Sequence, residues 1–197
     1  MKFAVMDVET SGLFDYSRRA HEDGQPRMAS LALLRLGDDL SVADEFHTLI
    51  KPDGWQMDAE VAKINGLTQE RLEAEGKPVA EALDAYGKAL DEELVIVGWN
   101  VSFDLKILRG ELRRAGREDR FESTKSTDCM RPLTDIVRIP KAKGSGFKLP
   151  KLTEAYCAIF NRDFEGAHSA LADAKACAEI FREMHPKGVF KAVLEQR

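Results

Sequence analysis

The sequence is poor in cysteine, with only Cys129, Cys157 and Cys177 among its 197 residues. No two of them form a close CxxC pair and their number is odd, which argues against a zinc finger and a disulfide-stapled scaffold. Two of the three lie in apolar helical patterns. We therefore expect reduced thiols that pack in the core.

Long apolar runs are also absent, so the sequence offers no segment able to cross a membrane. The N-terminus enters the apolar stretch Lys2–Val5 directly, without the pattern of a signal peptide. These absences predict a cytoplasmic protein without membrane contact. There are no internal repeats, and the length and apolar content fit one domain with a sizeable core.

An excess of positive charge is absent: 34 acidic residues outnumber 29 lysines and arginines, and the formal net charge is −5. Phosphate contacts normally rely on lysine and arginine, so the composition argues against an extensive surface for gripping duplex nucleic acid. Each local basic cluster is by default a solvated face. The clusters lie at Arg18 and Arg19, at Arg113, Arg114 and Arg117, and at Lys141, Lys143 and Lys148.

The first acidic motif is MDVETSG, which contains Asp7 and Glu9. The residues from Lys2 to Glu9 form an apolar, β-prone run that ends in Thr-Ser-Gly, which predicts a strand entering a turn. Side chains alternate along a strand, so both carboxylates fall on one face near its C-terminal end. Adjacent carboxylates repel unless a cation lies between them, and oxygen ligands suit Mg²⁺ or Mn²⁺. Alone, this pattern is more often a solvated strand edge.

The second acidic motif follows the run Leu94–Gly98, whose continuous apolar character predicts a strand buried on both faces. A helix follows, with Ser102 as its expected N-cap. Asp104 then lies in the first helical turn, at the carboxyl end of a strand, where open α/β sheets bind their ligands. The alternative is that Asp104 only complements the helix dipole.

The third motif is His168 followed by Asp173. Ser169 is the expected N-cap of the next helix, which leaves His168 in the preceding loop and Asp173 in the opening turns. On a continuous helix, residues five apart point in different directions. A loop position for His168 therefore allows both side chains to reach one site.

In chain order these motifs read DxE, NxxxD and HxxxxD, and in this they resemble the DEDDh branch of the DnaQ-like 3′-5′ exonucleases, the family of the proofreading epsilon subunit of DNA polymerase III. Residues 57–68 look like the family's A..IHGIT segment, with Asn65 where histidine is common. Residues 148–152 resemble its KLxxL segment and residues 126–128 its central DT strand. The likeness covers most of residues 1–185.

The resemblance implies a two-metal mechanism with two Mg²⁺ or Mn²⁺ ions. His168 would take the proton of the attacking water. The segment 139–148 is the preferred candidate for a mobile substrate-contacting loop, and residues 15–25 form a longer, more polar loop than the family pattern predicts. The metal ligands would be Asp7, Glu9, Asp104 and Asp173, and the substrate-binding residues Thr10, Leu13, Asn65, Asn100 and Phe103.

The expected fold is α/β: a ribonuclease H-like, mixed five-stranded sheet with helices on both faces. Residues 28–36 and 42–50 predict a hairpin beside the first strand. Residues 1–185 would form the DEDDh exonuclease domain, and residues 186–197 a C-terminal tail or short helix. The remaining helices are predicted at residues 57–64, 78–90, 101–115, 151–160 and 170–184, with strands near residues 94 and 126.

The predicted activity is metal-dependent 3′-5′ exonuclease action that releases nucleoside 5′-monophosphates from single-stranded or frayed 3′ ends, with DNA weakly favoured. An RNA-trimming exoribonuclease of the same family is the alternative. The HxxxxD spacing argues against an RNase H-like endonuclease or integrase, and the intact acids argue against a non-catalytic binding module. The residues leave open whether the protein acts beside a polymerase or other replication or repair partner, and whether it dimerises.

Overall fold

A computed structural model of the chain describes residues 2–190 and 194–195. Strands dominate its first quarter, and helices then alternate with the remaining strands. In chain order the elements are β1 (Phe3–Thr10), β2 (Met28–Leu36), β3 (Val42–Leu49), α1 (Ala59–Asn65), α2 (Gln69–Glu75), α3 (Val79–Asp91), β4 (Val95–Gly98), α4 (Val101–Arg114), β5 (Lys125–Asp128), α5 (Met130–Val137), α6 (Leu152–Phe160), α7 (Ala170–Met184) and β6 (Leu194–Glu195).

The strands form one mixed sheet in the order β3-β2-β1-β4-β5-β6. Antiparallel pairing joins β1 to β2 and β2 to β3, whereas β1, β4 and β5 are parallel neighbours. The predicted mixed sheet of five strands is confirmed, and the two-residue β6 extends it at the β5 edge. Because β1, β4 and β5 run in the same direction, their carboxyl ends meet at one edge of the sheet.

Strand β1 lies inside the sheet, and its alternating side chains enter two different cores. Phe3 and Val5 pack with α5, α6 and α7 on one face, whereas Ala4 and Met6 pack with α3 and α4 on the other. The prediction of helices on both faces is thereby confirmed. Asp7 and Glu9 continue the register of Phe3 and Val5, so they face the α7 side.

Several local predictions were wrong. Helix α4 begins at Val101 and not after Ser102, because Asn100 precedes it in the left-handed conformation with φ 62°. Helix α2 was not predicted. Leu72 is its one buried residue, so the segment lacks the helical repeat of apolar residues that reveals a helix in a sequence. Helix α5 was also missed; its Pro132 stands in the first turn, where proline is tolerated. Cys129 and Cys177 are buried as expected, but Cys157 is exposed.

The segment after α7 differs from the tail or short helix expected for residues 186–197. Phe190 is buried, and its ring stacks on that of Phe181 at 5.5 Å between centroids. Residues 194–195 then pair with β5, while residues 191–193 and 196–197 lie outside the described residues. This part of the chain thus adds to both the core and the sheet. Across the described residues, no helix combines the length and apolar character needed to span a membrane.

The loop of residues 15–25 is tied down by its own hydrogen bonds and by α4. The side chain of Gln25 is buried; its Oε1 accepts the N–H of Asp15 and its Nε2 donates to the carbonyl of Asp15. From α4, Arg114 donates to the carbonyl of Ala20 at 3.1 Å. A Cβ on Gly110 would lie 2.5 Å from the same carbonyl, so only glycine permits this approach of helix and loop.

Beneath this loop, Glu111 of α4 is buried with 1% of its side chain exposed. Its carboxylate accepts two hydrogen bonds from Arg27, at 2.8 and 3.0 Å, and a third from the backbone N–H of Met28 at 3.1 Å. Arg114 donates to it as well. These contacts hold the start of β2 against α4.

Replacing Glu111 with alanine should lower the free energy of unfolding by about 3–5 kcal/mol. The change leaves a partly buried guanidinium and a buried backbone N–H without their hydrogen-bond acceptor. Denaturant unfolding measures the loss. Glu118→Ala, which removes an exposed carboxylate, is the control and should change stability by less than about 0.5 kcal/mol. Equal effects of the two substitutions would show that the buried pair contributes nothing particular to the fold.

Candidate active site

Three of the predicted carboxylates meet at the carboxyl end of β1. Asp7 and Glu9 face α7, and Asp173 approaches them from the first turn of that helix. Among the described residues these three form a group in which one oxygen from each side chain lies within 4.8 Å of the others. Such a set of close oxygen ligands suits a hard divalent cation.

Asp104 approaches from the opposite side of β1, because α4 packs on the other face of the sheet. Its side chain is buried, and its Oδ1 accepts the backbone N–H of Val8 at 3.0 Å. This hydrogen bond orients the carboxylate of Asp104 toward the backbone between Asp7 and Glu9. Asp104 is therefore next to the three-carboxylate group without being part of it.

The carboxylates perturb one another strongly. Burial raises the pKa of Asp7 well above its usual range, and the charges of Asp104, Asp173 and Glu9 raise it further. Burial also raises the pKa of Glu9 to about 7, against a hydrogen bond from Asn65, and that of Asp173 to about 6. Clustered acids that resist ionisation are typical of functional sites. The donor set and its unbalanced charge both fit divalent metal.

In the absence of divalent cations, stability should fall as the pH rises from about 5 to about 7.5. The pKa values of Glu9 and Asp173 in the folded state, about 7 and about 6, lie above the usual carboxyl range. The folded protein therefore binds more protons than the unfolded chain in this window, and deprotonation costs stability on the order of 2 kcal/mol. Melting temperatures in EDTA across this range measure the effect.

Two controls isolate this pH effect. Excess Mg²⁺ should flatten the pH dependence, because the cation replaces the protons. Glu9→Gln should reduce the pH dependence in EDTA, because one of the two titrating groups is gone and Asp173 remains. A melting temperature in EDTA that rises through the window, in wild type and variant alike, would contradict the assignment.

His168 lies in the loop before α7, as predicted, and is exposed. Its backbone has φ 69°, a left-handed conformation that histidine adopts more readily than most side chains. In this conformation its backbone N–H points at the carboxylate of Asp173, 3.3 Å from each oxygen. The loop thus fixes the histidine beside the acid while the ring stays outside the carboxylate group. Ser169 precedes the helix but makes no side-chain cap bond.

Three predicted substrate residues lie around the end of β1. Thr10 is buried, and its hydroxyl donates to the carbonyl of Gly12 at 2.9 Å. Leu13 has 89% of its surface exposed, an unusual state for a large apolar side chain. Phe103, next to Asp104 on α4, has its ring edge-on to that of Phe14 at 6.3 Å.

The other two make structural contacts. Asn65 is buried, and its Nδ2 lies 3.4 Å from Glu9 Oε2 and 3.5 Å from the carbonyl of Thr10. Asn100 donates its backbone N–H to Asp128 Oδ1 at 3.0 Å. Asp128 also accepts the backbone N–H of Met130, and its charge contributes to the raised pKa of Asp104 after burial and Glu9. Sequence reasoning assigned Asp128 no role, although its position at the carboxyl end of a strand was a usable signal.

A mixed α/β sheet with clustered acids and a fixed histidine at the carboxyl ends of its strands is the arrangement of a metal-dependent phosphodiester hydrolase. The model of the RNase_T family, described as exonuclease, matches residues 4–181, and the chain belongs to this family. The predicted DnaQ-like 3′-5′ exonuclease family and the predicted enzyme class are thereby confirmed.

Two bacterial proteins named DNA polymerase III PolC-type are similar in sequence. The one from Thermotoga petrophila is 29% identical over 181 residues, which are 91% of this chain and 11% of that protein. The one from Caldanaerobacter subterraneus subsp. tengcongensis is 23% identical over 186 residues, 94% of this chain and 12% of that protein. The chain thus spans about a tenth of the length of these curated relatives.

Solved structures share the fold. Exonuclease I of E. coli in complex with a dT13 oligonucleotide superposes with a TM-score of 0.75 at 19% identity, over 94% of this chain and 42% of that one. A 3′-exonuclease, from a structure of 3′-end specific recognition of histone mRNA stem-loop, gives 0.69 at 15% identity, over 95% and 64%. The predicted ribonuclease H-like fold is confirmed.

Proposed function

We propose that this chain removes nucleotides singly from the 3′ end of single-stranded or frayed DNA and releases nucleoside 5′-monophosphates. The observation that carries the proposal is the meeting of Asp7, Glu9 and Asp173 at the end of β1, with Asp104 behind them and His168 exposed beside them. In a chain of the exonuclease family, this arrangement supplies metal ligands and a proton acceptor at one point.

Asp7, Glu9, Asp104 and Asp173 would hold two Mg²⁺ or Mn²⁺ ions. When bound, the ions supply Lewis-acid stabilisation of the charge that develops on the phosphate oxygens. Asp7 interacts electrostatically with all three of the other acids, because the charge of each one raises the pKa of Asp7. Asp7 would therefore be the central residue of the set that holds the metal.

His168 would accept the proton of the attacking water. The backbone N–H of His168 contacts Asp173, whereas the residue is otherwise exposed to solvent. The imidazole is therefore near the acids without acting as a metal ligand. Imidazole takes up protons near neutral pH, which suits a general base.

The terminal nucleotide would lie against the residues that follow β1. A cavity of about 510 Å³, lined in part by Gly12, Leu13 and Trp55, opens beside this segment. Its volume is in the range of small-molecule sites. Leu13, which is exposed, and Phe103, which is half-buried, offer apolar surface for the base. Thr10 shapes the turn that presents Leu13. Asn65 would act on the substrate indirectly, through Glu9 and the carbonyl of Thr10, and Asn100 would shape the start of α4.

The preference for DNA rests on the names of the two bacterial relatives, both DNA polymerases. Association with a DNA polymerase or another replication or repair partner, in the cytoplasm, follows from the same likeness. RNA trimming is the second candidate function, because the fold is shared with a 3′-exonuclease that recognises a histone mRNA stem-loop. Paired ends should be poorer substrates, because unstacking costs a few kcal/mol.

Matched DNA and RNA oligonucleotides of one sequence, assayed side by side in Mg²⁺, test the substrate. We expect faster hydrolysis of DNA. A DNA strand with a single ribonucleotide at its 3′ end shows where a preference for DNA arises. If the pocket selects deoxyribose, this one terminal 2′-hydroxyl should slow the first step. Faster hydrolysis of RNA, or of the strand ending in a ribonucleotide, would favour the RNA-trimming function instead.

A further inference from the structure

Loop 15–25 and α4 enclose a second concave surface on the outer side of Phe14, with a cavity of about 330 Å³. It combines aromatic rings with positively charged side chains, whereas the chain as a whole is acidic. We call it the aromatic-basic groove. Its lining residues are Phe14, Tyr16, Arg18, Arg19, Ala20, Lys106, Arg109 and Arg113.

Three aromatic rings lead from the carboxylates into the groove. Phe103, adjacent to Asp104, contacts Phe14 with 6.3 Å between ring centroids, and Phe14 contacts Tyr16 at 5.1 Å. Tyr16 is 67% exposed, and Lys106 Nζ lies 4.9 Å from its centroid. The cation of Lys106 lies over one face of this ring, and the rest of the ring is largely exposed. An exposed ring and a cation together can bind a base and its phosphate.

The charges of the groove are only partly compensated. Arg109 and Arg113 are both paired with Asp119, and Arg18 is paired with Glu22. Neither Arg19 nor Lys106 forms an ion pair with any residue that the structure describes. Two cations are therefore available for an anionic ligand, in a chain whose net charge is −5.

The floor of the groove is one face of α4. Phe103, Lys106, Arg109 and Arg113 follow the helical spacing of three and four residues, so they line one side of the helix. At 1.5 Å per residue this row extends about 15 Å from the site, the length of roughly four stacked nucleotides. The opposite wall is held in place by Gln25 and by the close approach at Gly110.

We propose that the aromatic-basic groove binds the nucleotides on the 5′ side of the scissile end, with a base on Tyr16 and phosphates at Arg19 and Lys106. The proposal rests on the proposed function. An acidic protein segment could bind to the cations, but it would make no use of the row of three contacting rings that starts at Phe103. A single strand of nucleic acid uses both features.

Hydrolysis of a single strand of about twelve nucleotides and of a dinucleotide, which has only one nucleotide on the 5′ side of the scissile bond, tests this proposal. Tyr16→Ala should lower the ratio of kcat/KM for the long strand to that for the dinucleotide about 10-fold, the effect of one lost base–aromatic stack. Tyr16→Phe keeps the ring and should restore the wild-type ratio.

The cations are tested by salt dependence. The double variant Arg19→Ala/Lys106→Ala should reduce the slope of log kcat/KM against log salt on the long strand by about 1.4, since each phosphate contact on a single strand contributes about 0.7. The matched control is Lys88→Ala/Lys125→Ala, which removes two exposed lysines from α3 and β5 and should leave the slope as in wild type.

Each outcome decides the proposal. A wild-type ratio and slope in the groove variants would overturn it while leaving the exonuclease function intact. A slope reduced as much in the Lys88/Lys125 variant would also overturn it, because the effect would then come from net charge and not from the groove. Absence of hydrolysis of both substrates by the wild-type protein would refute the proposed function, and the groove proposal with it.

Discussion

Asp7→Asn should reduce hydrolysis of a single strand in Mg²⁺ by at least about 10³-fold and at the same time raise the melting temperature in EDTA. The site loses its central ligand, and metal ions contribute several kcal/mol at such sites, with about 1.4 kcal/mol for each factor of ten. Without metal, the burial and the three neighbouring charges that raise the pKa of Asp7 make its ionised form costly. A neutral amide of the same shape removes that cost.

The two halves of this prediction are measured on one preparation, by single-turnover hydrolysis and by thermal melts with EDTA and with Mg²⁺. Mg²⁺ should raise the melting temperature of the wild type far more than that of the variant. Asp38→Asn, which changes an exposed carboxylate in the β2–β3 turn beside the N-terminal end of β1, should match the wild type in both assays. Wild-type hydrolysis by the Asp7→Asn protein would contradict the metal-ligand assignment.

His168→Ala should lower turnover about 10²–10⁴-fold, the usual effect of losing a general base, while the stabilisation by Mg²⁺ stays as in wild type. The physical reason is that the ring lies outside the three-carboxylate group, so its removal leaves the cation ligands in place. Single-turnover rates and Mg²⁺-dependent melts provide the two readouts.

His168→Asn separates the ring from the backbone. Asparagine tolerates the left-handed conformation of this position, so the N–H contact with Asp173 should survive without an imidazole. We expect the same loss of turnover as in the alanine variant. If either variant instead lost the Mg²⁺ stabilisation and kept its rate in saturating Mn²⁺, His168 would be a metal ligand.

The positions of Asp7, Glu9 and Asp173 could be predicted from the sequence because short-range periodicity determines them. A strand of period two puts Asp7 and Glu9 on one face, and a helix that begins after Ser169 puts Asp173 in its opening turns. The mixed sheet followed from a hairpin and alternating elements. Each of these inferences needs only the local pattern of a few residues.

Other features depend on contacts between distant parts of the chain. The bond from Val8 to Asp104 spans 96 positions, and that between Asn65 and Glu9 spans 56, so no local pattern reveals them. The sequence therefore could not show that Asn65, which is predicted to bind substrate, also contacts a carboxylate in the structure. These long-range contacts fix how the predicted residues meet.

The loop 15–25 shows the same limit. Its sequence indicates only a long and polar loop, whereas in the structure Gln25 is buried and forms hydrogen bonds within the loop. Arg114 binds the loop from α4, a contact across 94 positions. Composition alone cannot distinguish a solvated polar loop from one whose polar groups bond each other.

The polarity of hydrolysis tests the central claim most directly. A single-stranded DNA labelled at its 5′ end, incubated with the protein in Mg²⁺, should yield a ladder of labelled strands that shorten one nucleotide at a time. A 3′-phosphate on the same strand should slow the first step, and EDTA should stop the reaction. Release of the labelled 5′ nucleotide first, or cleavage of a circular single strand, would contradict the assignment of this site to 3′-end hydrolysis.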